Sequence, residues 1–329
     1  MRWMVALVLT TLSVTALAQG VRRKPAPVDA AIQRGLTFVA KDAMAWKSKH
    51  NCVSCHHAAL AIWSLREARQ RGHSINEPVL AELTKWTTET MGDGKTGLAR
   101  PAGIPKALNA KAVWFAMALG TDPQPDAATQ AGLKRLWETV KSDQTETGAW
   151  AAWPETRPPF FGNSDESMTT LATLSLLPAT KGGDEEAQAA LDRGVQWLTE
   201  TKSEEDPQSV AMRLVLWKQL KRPEKEWRPL VRSIKQRQNA DGGWSQTQAM
   251  ESDAWATGEA LYALASAGMR SDAPAIQRAR TFLIRTQRDD GSWPMMSRPT
   301  KPGEGLTQGQ VAITGAASAW AVLGLVRSR

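Results

Sequence analysis

Apolar residues recur in this chain at intervals of three and four, which is the spacing of one buried face on an α-helix. The spacing is regular in four segments and weaker in two others. These segments are Ile32–Val39, Leu133–Val140, Leu191–Leu198 and Trp227–Ile234, and, in the weaker form, Val79–Trp86 and Ile276–Leu283. Each of them predicts a helix that turns one apolar stripe to the core and a charged face to water.

Six further stretches, richer in Ala and Leu and poorer in charge, alternate with the striped ones. They are His56–Arg71, Asn109–Leu119, Glu166–Leu177, Gln208–Leu220, Asp253–Ala267 and Ala312–Val326. A helix that is apolar on most sides belongs inside, and neighbouring hairpins must stack because one hairpin cannot bury both of its faces. The alternation therefore predicts an all-α fold, an (α/α)6 toroid of six helical hairpins. No segment has the sustained period-two alternation that predicts a strand.

The first residues have the features of a secretory signal peptide. A short positive start, Met1–Trp3, is followed by the apolar run Met4–Val14 and by the cleavage signal Ala16–Ala18. We therefore expect residues 1–18 to be removed and the protein to be secreted across the inner membrane into the periplasm. No later run is long and apolar enough to predict a transmembrane helix.

The rest of the chain is expected to form one domain. Residues 19–30 predict a flexible lead-in, and residues 31–329 a single α/α toroid. The chain has 329 residues and a formal net charge of +8, but its acidic and basic residues are mixed along it. Because there is no basic block, we expect no nucleic-acid partner.

The two cysteines of the chain lie together in the motif C-x-x-C-H-H at residues 52–57. In an exported protein, such a pair is typical of haem c attachment, with thioether bonds from Cys52 and Cys55 and with His56 as the iron ligand. We therefore predict covalently bound haem c and a redox or electron-transfer role, with a redox partner. Met44 and Met91 are among the candidates for the second axial ligand.

Two other interpretations of the motif stay open. Zinc could be held by His50, Cys52, Cys55 and either His56 or His57, since thiolates and imidazoles are its usual ligands. The cysteines could instead form a local disulfide, because the compartment is oxidising. His57 is a candidate ligand or base, or a histidine that only forms hydrogen bonds at a helix start.

Acidic residues mark the starts of two predicted inner helices: Asp165 and Glu166 in one, Glu251 and Asp253 in the other. In a toroid these starts gather round one mouth, together with residues 55–57. The acids therefore form either a shared site or ordinary helix N-caps. Five tryptophans on the inner helices either line a cavity or belong to the core; they are Trp63, Trp114, Trp217, Trp255 and Trp320.

Two segments that follow outer helices, Gln238–Trp244 and Gln287–Trp293, read Q-x-x-D-G-G/S-W, and Thr147–Trp150 is a degraded copy. This motif resembles the QW repeat of squalene-hopene cyclases, and it is similar to the repeat of protein prenyltransferase β subunits. In that group the Gln and Trp tie the end of one outer helix to its neighbour. The resemblance implies the toroid fold and, as an alternative function, a terpenoid-cyclase-like enzyme or an isoprenoid-binding protein.

The same resemblance implies a catalytic role for Asp253, which falls on the central acid of the cyclase motif D-x-D-D-T-A. The flanking positions are changed, to Glu251 and Ala254. No residues match the catalytic zinc ligands of the prenyltransferases. Together with residues 52–57, the stretches Ser252–Gly268 and Gln287–Pro294 are similar to exported bacterial proteins of this repeat group that carry a C-x-x-C-H-H motif.

Overall fold

The computed structural model describes most of the chain after the predicted signal peptide. The described residues are 27–50, 55–92, 110–152, 159, 164–201, 203, 206–248, 250–297 and 313–329, with the backbone alone for residues 55, 56, 91 and 92. The predicted signal peptide lies outside them. The predicted lead-in lies outside them up to residue 26, and its last four residues already belong to the first helix.

Within the described residues the secondary structure consists of twelve α-helices and one π-helical turn. The helices are α1 (Pro27–Lys49), α2 (Leu60–Gln70, preceded by the π-helical turn Cys55–Ala59), α3 (Glu77–Gly92), α4 (Ala110–Leu119), α5 (Ala127–Ser142), α6 (Asp165–Lys181), α7 (Glu185–Glu200), α8 (Pro207–Gln219), α9 (Glu224–Gln236), α10 (Ala254–Ser266), α11 (Pro274–Thr286) and α12 (Thr314–Ser328). None of them is long and apolar enough to cross a membrane. The prediction of six alternating helix pairs is confirmed.

Burial separates the helices into two layers. The even-numbered helices are inner ones: α4 and α12, for example, are buried along nearly their whole length. The odd-numbered helices are striped, and α9 is the extreme case because it fully buries one residue, Ile234. Each inner helix packs on the next, and α12 packs on both α2 and α1, so the ring closes on itself. The fold is therefore an α/α toroid.

Three copies of one tie connect successive outer helices. In each copy, a Gln amide donates to a carbonyl of the following outer helix, and six residues later a Trp indole donates to the outer helix just completed. The ties are Gln144 to Ala190 with Trp150 to Val140, Gln238 to Ala275 with Trp244 to Ile234, and Gln287 to Ala31 with Trp293 to Leu283, all at 2.7–3.0 Å. The third tie joins α11 to α1. It therefore closes the outer layer of the ring by joining its last helix to its first.

The copy at Thr147–Trp150, which is degraded in sequence, is complete in the structure. Gln144, six residues before Trp150, supplies the Gln of the motif. A glycine with φ near +90° precedes each Trp by two residues, at Gly148, Gly242 and Gly291. A Cβ at Gly291 would collide with the backbone carbonyl of Arg34 in the next outer helix. Glycine is therefore required both by the left-handed backbone and by the close approach of the neighbouring helix.

The centre of the ring is filled by an aromatic cluster made of Trp63, Trp114, Trp255, Tyr262 and Trp320. The Trp320 ring lies 5.3 to 6.4 Å, centroid to centroid, from each of the other four. Such distances are favoured for offset and edge-on aromatic pairs. All five side chains are buried, as is Trp217, which lies outside the cluster. The middle of the toroid is therefore filled by packed side chains.

Candidate functional site

The residues next to the predicted haem motif lie at the end of the ring where inner helices begin. Here the last turns of α1 and the starts of α2 and α12 come together. A Cβ on Gly315, the second residue of α12, would collide with the Asp42 carboxylate and lie 3.3 Å from the His57 ring. The starts of the first and the last inner helix are therefore neighbours, in line with the expectation of a shared mouth.

The motif itself is described in part. Cys52 lies outside the described residues, and Cys55 and His56 belong to the π-helical turn Cys55–Ala59 that leads into α2. π-Helical turns are rare and occur frequently at functional sites. Haem attachment through Cys52, Cys55 and His56 stays a prediction, and so does a disulfide between the two cysteines.

The His57 side chain is held between α1 and α2. Its Nε2 lies 3.5 Å from Oδ2 of Asp42, and its ring stacks on Trp46 with the centroids 4.1 Å apart. Burial raises the pKa of the Asp42 carboxyl above its usual range. The imidazole is 11 % exposed, so it is a largely buried contact between the two helices.

The imidazole of His50 also stacks on Trp46. The centroids of these two rings are 3.8 Å apart, and their planes are inclined by 22°. Two rings at such short distances cannot share one face of an indole, so His50 and His57 lie on opposite faces of Trp46. Nitrogens that bind one zinc ion lie about 2.0–2.1 Å from it and therefore close to each other. The indole holds these two imidazoles too far apart for that. Among the described residues, no three His, Cys, Asp or Glu side chains are placed to hold a metal ion.

Asp253 lies at the start of α10 and caps that helix. Its Oδ1 accepts a hydrogen bond of 2.9 Å from the backbone N–H of Ala256, and its Oδ2 accepts one of 3.0 Å from Nε2 of Gln246. Its own N–H donates to the carbonyl of Trp244, the last residue of the second tie. The carboxylate is half-buried.

The other two predicted acids, Asp165 and Glu166, have different roles. Ser164, and not Asp165, caps α6, because Ser164 forms a reciprocal capping box with Ser167. The Asp165 carboxylate instead accepts a hydrogen bond of 2.7 Å from the backbone N–H of Ala152. Glu166 is buried and forms an ion pair of 2.9 Å with Arg213 of the next inner helix. This pair therefore connects α6 to α8.

A further buried acid, Glu259, did not stand out in the sequence analysis. It lies in the middle of α10 and is 3 % exposed, and Nε2 of Gln208 donates to its Oε1 at 2.9 Å. Burial raises the pKa of Glu259 to about 8, and the nearby Asp206 and Asp253 act in the same direction, whereas hydrogen bonds from Gln208 and Trp255 lower it. The signal in the sequence was a single acid within an otherwise apolar inner helix.

The cleft beside Glu259 lies between α8, α9 and α10. Its volume is about 20 Å³, which is room for about one water molecule. Trp244 and Trp255 line it together with Gln208. An isoprenoid would therefore not fit beside Glu259 in this arrangement, so the carboxyl is in the first place a buried polar group of the core.

Comparison with known proteins agrees with this architecture. Residues 196–286 match the family model of the squalene-hopene cyclase N-terminal domain. The match runs from the last turn of α7 to the end of α11, and it includes Asp253 and the second tie. No curated protein matches the sequence.

Solved structures resemble the chain over nearly its whole length. The type II terpene cyclase MstE from Scytonema shares 13 % identity, with 91 % of this chain and 98 % of that one covered and a TM-score of 0.58. A glycosyl hydrolase of family 88 from Bacteroides vulgatus shares 14 % identity, with 90 % and 98 % covered and a TM-score of 0.61. A possible family 105 member from Klebsiella pneumoniae shares 12 %, with 98 % of each chain covered and a TM-score of 0.60.

At these identities the likeness concerns the fold. The chain is a squalene-hopene cyclase-like α/α toroid, as the motif at residues 238–244 and 287–293 predicted. Because the same fold is shared with glycosyl hydrolases, it does not assign an activity.

Proposed function

We propose that this protein is an exported α/α toroid that carries haem c, bound through Cys52 and Cys55 with His56 as the proximal iron ligand. The observation that carries the proposal is the coincidence of a C-x-x-C-H motif with a π-helical turn, Cys55–Ala59, at the start of the first inner helix. Haem bound there would supply a one-electron redox couple, and its role would be electron transfer to a redox partner.

The surroundings of the motif argue against a zinc site that uses both His50 and His57. His57 is engaged by Asp42 and Trp46, and His50 lies on the far face of the same indole. A zinc site built from both of these imidazoles does not fit that geometry. A haem site needs the two thiols and the first imidazole alone, and it therefore leaves His50 and His57 in the contacts described.

The proposal is tested on protein exported from cells with a working cytochrome c maturation system. We expect a Soret band, a c-type pyridine haemochrome, haem that remains attached after denaturation, and a mature chain that starts at Gln19. Replacing both cysteines, Cys52→Ala with Cys55→Ala, should remove the haem completely. Absence of haem from the wild-type protein, while a control cytochrome matures in the same cells, would refute the proposal.

The two adjacent histidines provide a matched control. His56→Ala should abolish or change the visible spectrum, because it removes the proximal ligand. His57→Ala should keep a c-type spectrum, because it removes a side chain that contacts Asp42 and Trp46. The opposite result, with the spectrum lost in the His57 variant and kept in the His56 variant, would contradict the assigned roles.

A second candidate function is acid catalysis on an isoprenoid-like substrate, with Asp253 as the acid. It is favoured by the position of Asp253 at the start of α10, inside the region that matches the cyclase family. Two variants of MstE have been solved with geranylgeranyl dihydroxybenzoate bound, and this compound is a suitable probe. Turnover of the probe would support this function, and its absence in the wild-type protein would argue against it.

Substitutions at Asp253 separate the acid from the helix cap. Asn is as good an N-cap as Asp, so Asp253→Asn should leave the free energy of unfolding within about 0.5 kcal/mol of wild type, whereas Asp253→Ala should cost about 1 kcal/mol. If Asp253 is the acid, the Asn variant loses turnover although it stays folded. Turnover that survives in the Asn variant would exclude Asp253 as the proton donor.

A further inference from the structure

A second cavity lies at the end of the ring opposite to the haem motif, where the inner helices finish. Its volume is about 200 Å³, and we call it the axial cavity because all six inner helices line it. The contributions come, in chain order, from Glu67, Met117, Lys181, Met212, Tyr262 and Arg327. Two members of the aromatic cluster, Trp63 and Tyr262, also line it. The remainder of the cluster lies deeper in the ring, so this cavity is separate from the mouth that holds His57.

The charged groups of the axial cavity are unequal in number. Two cations, Lys181 and Arg327, line it together with one carboxylate, that of Glu67. Glu67 is 5 % exposed, and its Oε1 is already shared by Arg327 at 2.7 Å and Arg71 at 2.8 Å. The carboxylate is therefore fully neutralised, and the cavity retains an excess of positive charge.

Both cations have capacity left for a ligand. Nε of Arg327 donates to Ser266 and Nη1 donates to Glu67, while Nη2 makes no hydrogen bond to the described residues. Lys181 is exposed and forms no ion pair within the described part of the chain. A guanidinium with a free N–H is a suitable partner for a carboxylate, and the unpaired ammonium, which lines the same cavity from another inner helix, adds positive charge there.

The rest of the lining is apolar and of restricted size. Trp63, Met117, Leu174 and Met212 form the walls, and thioether side chains adapt to the shape of a ring. A cavity of about 150 Å³ in another protein is known to hold benzene. The axial cavity is somewhat larger, so it has room for one six-membered ring with a short substituent.

We propose that the axial cavity binds a single-ring organic carboxylate, with the ring against Trp63 and the methionines, the carboxylate at Arg327, and Lys181 adding positive charge from another wall of the cavity. Tyr262 lines the same cavity, and burial raises the pKa of its hydroxyl to about 12, so this group stays neutral there. This site is independent of the proposed haem site, which lies at the other end of the ring.

Benzoate titrated into the mature full-length protein in a calorimeter tests the proposal, with neutral benzamide as the matched ligand. We expect benzoate to bind at least tenfold more tightly than benzamide, since an ion pair with Arg adds a charge-assisted hydrogen bond. Lys181→Glu should weaken benzoate binding at least tenfold and Arg327→Gln by a similar factor. Lys181 is exposed, so its charge reversal is not expected to disturb folding even if the Arg327 variant is unstable.

Arg285→Gln, which removes a cation from outer helix α11, is the control and should leave benzoate affinity unchanged. Equal affinity for benzoate and benzamide, no heat with benzoate, or an unchanged affinity in Lys181→Glu would each overturn the proposal. Binding that shifts the Soret band and persists in both cavity variants would place the carboxylate on haem and would likewise overturn it. Loss of the haem motif, in contrast, should not alter benzoate binding by folded protein.

Discussion

Replacing Trp293 with alanine is expected to loosen the seam at which the ring closes. The indole is buried, donates to the carbonyl of Leu283 at 2.8 Å, and packs against Gly35 of α1. Truncating a buried Trp to Ala typically costs about 3–5 kcal/mol, because apolar contacts are lost and a cavity remains. Thermal or denaturant unfolding should show a loss of this size, and hydrogen exchange should show faster opening of α1.

The equivalent tryptophan of the second tie is the control for position. Trp244→Ala removes the same kind of side chain, which donates to Ile234 at 2.7 Å, and should cost a similar free energy. It should instead speed exchange in α9 and α11, the two helices that its tie connects, and leave α1 protected. Faster exchange of α1 in Trp244→Ala, or of α9 in Trp293→Ala, would mean that the ties are not local connections, since α11 is the one helix that both ties share.

Much of the fold was predictable because it depends on short-range periodicity. The alternation of striped and uniformly apolar segments gave twelve helices in the correct order, with bounds within a few residues for most of them, as in α10, expected over Asp253–Ala267 and observed over Ala254–Ser266. The start of α1 was placed too late, because Pro27 was assigned to a flexible lead-in although proline is favoured at the first helical position.

The missed half of the first tie shows where pattern reasoning fails. Gln144 lies six residues before Trp150, the same separation as in the other two ties, but the intervening sequence lacks the Asp-Gly pair. What defines the tie is its geometry: one Gln amide that reaches the backbone of another helix, a glycine at positive φ, and an indole that reaches back. These are requirements on three positions, and the other positions are free to vary.

The candidate sites were less predictable, because they depend on residues distant in sequence. Nothing local links Asp42 to His57, which meet because α1 packs against the start of α2, or Glu67 to Arg327, which meet because the closed ring brings α2 and α12 together. The predicted haem motif at residues 52–57 stands out from its spacing alone, since haem attachment would need neighbouring residues. The axial cavity could not be identified in this way, since it takes at least one residue from every inner helix.

Glu259→Gln is expected to change how stability depends on pH. In the folded protein the pKa of Glu259 is raised to about 8, mainly by burial. In the unfolded chain its pKa is that of an ordinary glutamate, about 4.3. Between these two values the folded state holds a proton that the unfolded state has released. The stability contributed by this group is therefore complete below about pH 4.3, falls as the pH rises, and is lost above about pH 8.

The neutral amide of the Gln variant has no proton to release, so the variant should lack this part of the pH dependence. The free energies of unfolding of the two proteins should converge near the acidic end of the window and diverge by on the order of 5 kcal/mol at its alkaline end, with the variant the more stable. Other titrating groups, Asp42 among them, are common to both proteins and cancel in the difference. Glu251→Gln, at an exposed acid two residues before the α10 cap, should follow the wild-type curve. Parallel curves for wild type and Glu259→Gln would mean that Glu259 is ionised in the folded core, held by Gln208 and Trp255 more strongly than burial opposes it.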